Sequence, residues 1–241
     1  MAFLEVKIYS EALGMQTSVN VIIPERGGDP AGPGFKCLYL LHGLSDDETI
    51  WMRRTSVERY ADRYGICVVM PRADKSFYTD MKYGPRYYTY VAKELPCIIR
   101  NMFRVSARRE DNFVAGLSMG GYGALKIALR ESDAFCAGAG LSSAVDTEWW
   151  AVNIPEIYGE KPQIPPQDDL LRLAEAKSCD ENRPKLFVAV GTEDGLLEQN
   201  RRLKAVLEKY NYNLVYRESP GNHNWEFWDE YIQYVLEWLF N

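Results

Sequence analysis

Six short apolar runs, at residues 37–41, 66–70, 112–115, 135–141, 185–190 and 213–216, recur along the chain. They are near-continuous rather than alternating, so they leave no wet side, which is how strands of a parallel sheet covered on both faces read. Between them the segments 51–64, 90–103, 121–130, 197–210 and 225–240 carry charges on one side and apolar residues on the other at helical spacing. Strand followed by helix, repeated, restricts the chain to the α/β class, a mostly parallel central sheet flanked by helices on both faces. Residues 3–9 and 17–23 alternate instead, which predicts an antiparallel hairpin at the sheet edge, and the Gly/Pro-rich stretch 27–34 predicts a loop.

The stretch 142–180, rich in Pro and Trp, breaks this rhythm and reads as an insertion, a small cap at about 145–178. With 241 residues, 46% of them hydrophobic, and no Gly/Ser-rich or Pro-rich linker, the chain suits a single domain over 1–241. Lys and Arg number 28 against 34 Asp and Glu, a formal charge of −6, which argues against a nucleic-acid partner. No run approaches the ~18 apolar residues of a membrane span, and the opening Met-Ala-Phe-Leu-Glu-Val-Lys turns charged too early for a secretory signal. A cytoplasmic protein with no membrane partner is expected. Cys37, Cys67, Cys97, Cys136 and Cys179 stand far apart without a Cys-x-x-Cys pair, which indicates neither a disulfide framework nor a zinc site.

Gly116-Leu117-Ser118-Met119-Gly120 lies where the run 112–115 gives way to a helical segment, so strand, sharp turn and helix meet at Ser118. In such a Gly-x-Ser-x-Gly turn the glycines avoid collision with neighbouring backbone, and the serine is pushed out at a helix start that favours negative charge. The alternative is a Gly-rich turn that merely packs a helix closely on a sheet. A serine hydroxyl needs a base to take its proton, and the chain has two histidines. His223, in the loop entering the last helix, follows the serine as the order Ser…Asp…His requires, though it would equally suit a cap on that helix. His42, directly after the run 37–41, is expected to hold its own loop in place. The acid belongs on a loop after a strand between serine and histidine, where Asp194 is preferred to Glu193; a plain helix N-cap is its bland alternative, and Asp180 and Asp229 are poorer choices. For the carbonyl oxygen that gains charge, the expected donors are the backbone N–H groups of Met119 and of Leu44, in a loop that Gly43 lets bend.

At these residues the sequence resembles the esterase D-like branch of the α/β-hydrolases, most closely its tributyrin-esterase and feruloyl-type carboxylesterases. The likeness is carried by His42-Gly43-Leu44, Trp51 and 53–58, Tyr88-Thr89-Tyr90, Glu94-Leu95-Pro96, 116–123, 191–194 and Gly221-Asn222-His223. It implies the α/β-hydrolase fold and a serine esterase for short acyl esters (acetyl, butyryl) or feruloyl esters. Ser118 would be nucleophile, Asp194 acid and His223 base, with the N–H groups of Leu44 and Met119 as oxyanion hole. Two-step acyl transfer on these groups calls for no metal and no organic cofactor. A neighbouring branch hydrolyses S-formylglutathione, so a thioesterase of that kind is the alternative enzyme; a non-catalytic binding member of the fold is the alternative outside enzymes.

Trp149, Trp150 and Tyr158 in the insert, with Tyr83, Tyr87, Tyr88 and Tyr90, are more aromatics than a solvated loop needs. They predict an aromatic wall over the serine, Trp149 or Trp150 foremost, for the acyl chain or phenolic ring of a small-molecule ester. The alternatives are packing of the insert onto the sheet, or an interface in a homo-oligomer.

Overall fold

One eight-stranded sheet organises the computed structural model, which describes residues 1–26 and 32–241. Its strands are β1 (Ala2–Ser10), β2 (Met15–Ile23), β3 (Cys37–Leu41), β4 (Cys67–Pro71), β5 (Asn112–Leu117), β6 (Ala137–Leu141), β7 (Lys185–Gly191) and β8 (Leu214–Ser219), in the order β1-β2-β4-β3-β5-β6-β7-β8. The first two form the expected antiparallel hairpin, β2 joins β4 antiparallel, and all later pairs are parallel. Of the loop expected at 27–34, residues 27–31 lie outside the described residues.

β3 to β6 are buried along their whole length, as a sheet covered on both faces requires. The run 213–216 corrects one expectation: it becomes β8, an edge strand with half-exposed residues, because only β7 pairs with it.

The helices are α1 (Ile50–Arg54), α2 (Val57–Tyr64), α3 (Tyr87–Thr89), α4 (Leu95–Met102), α5 (Met119–Arg130), α6 (Thr147–Asn153), α7 (Pro155–Tyr158), α8 (Leu170–Ala176), α9 (Leu197–Lys209) and α10 (Trp225–Phe240). Side chains of α4, α5, α8 and α9 cover one face of the sheet; those of α1, α2 and α10 cover the other. The single helix expected at 51–64 is two. Thr55 is extended (φ −136°, ψ 173°), and its hydroxyl donates to the Trp51 carbonyl at 2.6 Å and accepts from the Val57 N–H at 3.1 Å, ending one helix and opening the next. The helix expected at 90–103 starts with a π-type turn over Tyr90–Glu94, followed by α4, whose second residue, Pro96, has no N–H to place. No helix among the described residues is long and apolar enough to cross a membrane.

The stretch 142–180 forms no strand; it holds α6, α7, a 3-10 turn at Pro166–Asp168, and α8, which packs against α5 and α9. Its anchor is electrostatic. Asp168 is buried and accepts from Lys126 Nζ at 3.3 Å and Arg130 at 3.2 Å, both on α5, while Lys126 also donates to the Thr79 hydroxyl at 2.8 Å. Burial pushes the Lys126 ammonium down to about 8, against the upward pull of Asp168. Its folded pKa thus lies below the ordinary lysine value of about 10.4, so between those two values the unfolded chain holds the extra proton and stability gains with rising pH. Urea titrations from about pH 8 to about pH 10 should show a steeper gain for the protein than for Lys126→Met; parallel lines would contradict a charged, buried Lys126.

Candidate active site

Ser118 stands between β5 and α5 with φ 52° and ψ −115°, a conformation that a residue with a side chain keeps only when its surroundings impose it. They do. Its N–H donates to the Leu141 carbonyl on β6 at 2.8 Å, and its own carbonyl accepts from Tyr122 at 3.0 Å and Ala144 at 3.1 Å. The approach is closed by two glycines: a Cβ on Gly120 would lie 2.4 Å from the Leu41 carbonyl oxygen, and one on Gly116 would lie 2.4 Å from that of Gly120. The first turn of α5 therefore rests on the end of β3 and lifts Ser118 above the carboxyl ends of the strands.

Two loops bring the remaining polar groups to that hydroxyl. His223 Nε2 lies 3.1 Å from Ser118 Oγ, and His223 Nδ1 lies 2.9 Å from Asp194 Oδ2. The Asp194 side chain has no exposed surface, whereas that of His223 keeps 34%. Burial pushes the Asp194 carboxyl up, but hydrogen bonding from His223, from the Leu196 N–H at 2.8 Å and from Ser142 outweighs it and holds the group below the usual carboxylate range. An ionised Asp194 fixes the ring proton on Nδ1, which leaves the Nε2 lone pair facing the serine hydroxyl. The imidazole also sits edge-on to Trp228, centroids 4.9 Å apart, and the Trp228 indole N–H donates to the Ser142 hydroxyl at 3.1 Å. The other acids considered from the sequence go elsewhere: Asp180 pairs with Lys177, and Asp229 accepts from the Tyr60 hydroxyl.

The loop after β3 is held by buried groups. His42 Nδ1–H donates to the Gly43 carbonyl at 2.8 Å, and its Nε2 accepts from the Ala73 N–H at 2.9 Å; burial pushes its pKa down and keeps that acceptor free of a proton. The Tyr78 hydroxyl donates to the His42 carbonyl at 2.9 Å. Tyr78 was not legible as a site residue; its signal is Gly123, where a Cβ would lie 2.4 Å from the Tyr78 ring. A Cβ on Gly43 would stand 2.6 Å from Leu117 Cδ1 and 3.7 Å from Ser118 Cβ, so this loop lies directly on the serine. Leu44 follows it, and Met119 is the first residue of α5, where backbone N–H groups lack intrahelical partners.

Two clefts of about 460 Å³ each meet at Ser118 and His223. One is largely apolar, with Leu44, Phe77, Ala144, Trp149, Trp150 and Leu196 in its lining beside Asp146 and Gln199; the other carries Asp46, Arg54 and Glu226 beside Trp225 and Trp228. Trp149 is 62% exposed at the first, whereas Trp150 is fully buried, stacked on Phe77 with centroids 4.3 Å apart, and backs the wall. The expected tyrosine contribution is corrected. Tyr90 is buried, Tyr88 is bonded to Glu131 with Arg130 over its ring, and Tyr87 is bonded to Asp74; none of these, nor the exposed Tyr83, lines either cleft. Their spacing serves the packing of a helix start, not a wall over the serine. No group of three or more His, Cys, Asp or Glu among the described residues is placed to hold a metal ion.

Glu193 has a different place from the one weighed in the sequence. Its carboxylate accepts from the Gly221 N–H and, at 2.7 Å, from the Thr192 hydroxyl, and these two bonds hold it below the usual range; its own N–H donates to the Gly221 carbonyl at 3.0 Å. Gly221 lies two residues before His223, and a Cβ on Gly191 would meet its carbonyl oxygen at 2.1 Å. The loops bearing Asp194 and His223 are thus clamped main chain to main chain. Glu193→Ala should speed hydrogen exchange at the Gly221 amide by roughly fivefold, while Glu193→Gln, which keeps an acceptor, should change it less; equal rates in all three proteins would remove the carboxylate's part in the clamp.

Comparison with known proteins gives the family. The model of the Esterase family matches residues 10–238. An acetyl esterase of Caldicellulosiruptor saccharolyticus is 30% identical over 262 residues, covering 99% of this chain and 98% of that protein. Among solved structures, the fluorophosphonate-binding serine hydrolase F of Staphylococcus aureus, with substrate bound, is 33% identical with a TM-score of 0.90, covering 100% of this chain and 98% of its own. An S-formylglutathione hydrolase from Staphylococcus aureus is 33% identical with a TM-score of 0.91, covering 100% and 99%. A ferulic acid esterase at 24% identity and a TM-score of 0.86, covering 99% and 97%, shares the fold. The chain belongs to the Esterase family and is a carboxylic ester hydrolase built on the α/β-hydrolase fold.

Proposed function

We propose that the protein is a serine carboxylesterase that cleaves short-chain acyl esters, acetyl and butyryl or feruloyl-type, through an acyl-enzyme on Ser118. The observation that carries this reading is the unbroken hydrogen-bonded path from Ser118 Oγ through both nitrogens of His223 to a buried Asp194. Ser118 attacks the ester carbonyl as His223 Nε2 takes its proton, and the imidazolium so formed is stabilised by Asp194. His223 then returns the proton to the leaving alcohol. Water, deprotonated by the same imidazole, attacks the acyl-serine and releases the acid. The N–H groups of Leu44 and Met119 are assigned to the oxyanion, each worth about 3 kcal/mol in the transition state. The apolar cleft suits the acyl group, with Trp149 at its exposed side and Trp150 behind.

A second reading, hydrolysis of a thiol ester, is favoured by the likeness to an S-formylglutathione hydrolase. Oxygen and thiol esters of one acyl group separate the two. On acetyl, butyryl and feruloyl esters, Ser118→Ala should lower kcat/KM by several orders of magnitude; a variant retaining most of the activity would refute the mechanism. Replacing Trp149 by Ala should change the ranking of the three acyl groups, and an unchanged ranking would take it out of the acyl site.

A further inference from the structure

β1 ends the sheet on the side opposite β8 and pairs only with β2, so along its outer edge N–H and C=O groups meet no other strand among the described residues. An open edge is a template for another strand unless something blocks it. The usual blocks are not built into β1: Ala2–Ser10 holds no Pro or Gly, and its register with β2 runs through all nine residues without a bulge.

The order of residues in β1 says what fits that edge. Ala-Phe-Leu-Glu-Val-Lys-Ile-Tyr-Ser reads alike from both ends, as small, aromatic, aliphatic and charged, with Val6 at the centre. Only the sign of the charge inverts, Glu5 on one side of Val6 and Lys7 on the other. Two copies laid antiparallel about a two-fold axis at Val6 therefore overlap over the whole strand, with Ala2 of each opposite Ser10 of the other, Phe3 opposite Tyr9, Leu4 opposite Ile8 and Glu5 opposite Lys7. Side chains alternate along a strand, so the pairs sort by face. Leu4, Val6 and Ile8 form the row from which Val6 and Ile8 pack on the core, while Phe3, Glu5, Lys7 and Tyr9 form the outer row. Phe3 is 42% and Tyr9 51% exposed, and Lys7 is held over β2 by donating to the Ser18 hydroxyl.

The register is specified as well as the pairing. A slip of one residue sets the edge-facing groups of one strand against residues that face away, and a slip of two sets Glu5 against Glu5 or Lys7 against Lys7.

We infer that the protein forms a two-fold dimer through β1, the eight strands of each copy running on as one sheet. The occupant of the edge is a second copy of this chain, because each charge meets its opposite, and each ring a ring, when the facing strand is the same sequence reversed. The dimer is independent of the ester chemistry assigned to Ser118.

Sedimentation velocity and hydrogen exchange test it. The parent should sediment as a dimer at about 100 μM, and alternate amides of β1 should exchange severalfold more slowly there than at about 1 μM. Glu5→Lys and Lys7→Glu each set like charges opposite one another in both symmetry-related pairs, and each should weaken the dimer by about tenfold or more; the double substitution should recover most of that loss. A monomeric parent whose β1 amides exchange alike at both concentrations would overturn the inference and leave the edge to a strand of a different protein. A dimer that neither single reversal weakens, or that the double substitution leaves as weak as the single ones, would overturn it by placing the contact elsewhere. The exchange measurement uses the parent alone, so it stands even if a variant does not fold.

Discussion

The whole arrangement depends on how closely the first turn of α5 approaches the end of β3. With a Cβ on Gly120 excluded by the Leu41 carbonyl at 2.4 Å, no other residue fits without moving backbone, and the helix can settle only where a glycine stands. That contact forces the left-handed geometry of Ser118, and the bonds to Leu141, Tyr122 and Ala144 keep it there. A strained serine at a helix start is lifted out of the sheet while staying half-buried, fixed in direction and close to backbone N–H groups without helical partners. Packing has become chemistry through one close main-chain contact.

The same economy operates at the other two loops. Gly191 admits the Gly221 carbonyl, Glu193 bonds Gly221 on both sides, and Asp194, next in sequence, reaches the ring of His223. Positions that are far apart in the chain are thereby held by backbone contacts rather than by long flexible side chains, which lowers the entropy that must be lost to align them. The charges follow from the surroundings: hydrogen-bond donors hold the Asp194 carboxyl below its usual range against its burial, and burial pushes the His42 imidazole down against the Gly43 carbonyl and the carboxylates of Asp46, Asp47 and Asp74.

Ser118, Asp194 and His223 were legible in the sequence because each is marked by local punctuation, a Gly-x-Ser-x-Gly turn or a strand followed by a Gly-bounded loop, and because chain order limits the choices. The separation of Glu193 from Asp194 was legible only as a preference, since neighbouring carboxylates differ in direction, and direction comes from the fold. Tyr78, in the turn after β4, carries no local mark; its ring fits where it does because Gly123, about one turn into α5, has no Cβ. The four tyrosines at 83–90 misled because composition says that rings are present but not which way they face. The break at Thr55 has a local mark in Thr55-Ser56-Val57-Glu58, a helix-start pattern that the reading of one helix over 51–64 did not use. The edge position of β8 has no counterpart in its short apolar run, because strand order is a property of the sheet.

Two clefts, one largely apolar and one carrying charged side chains, meet at one hydroxyl. All of this assumes that Ser118 reacts covalently when His223 activates it. Reaction with a fluorophosphonate, followed by peptide mapping, tests that most directly. The adduct should sit on the peptide containing Ser118 in one-to-one ratio, and its rate of formation should fall by orders of magnitude in His223→Ala. An adduct on a different residue, or undiminished labelling without the imidazole, would contradict the account.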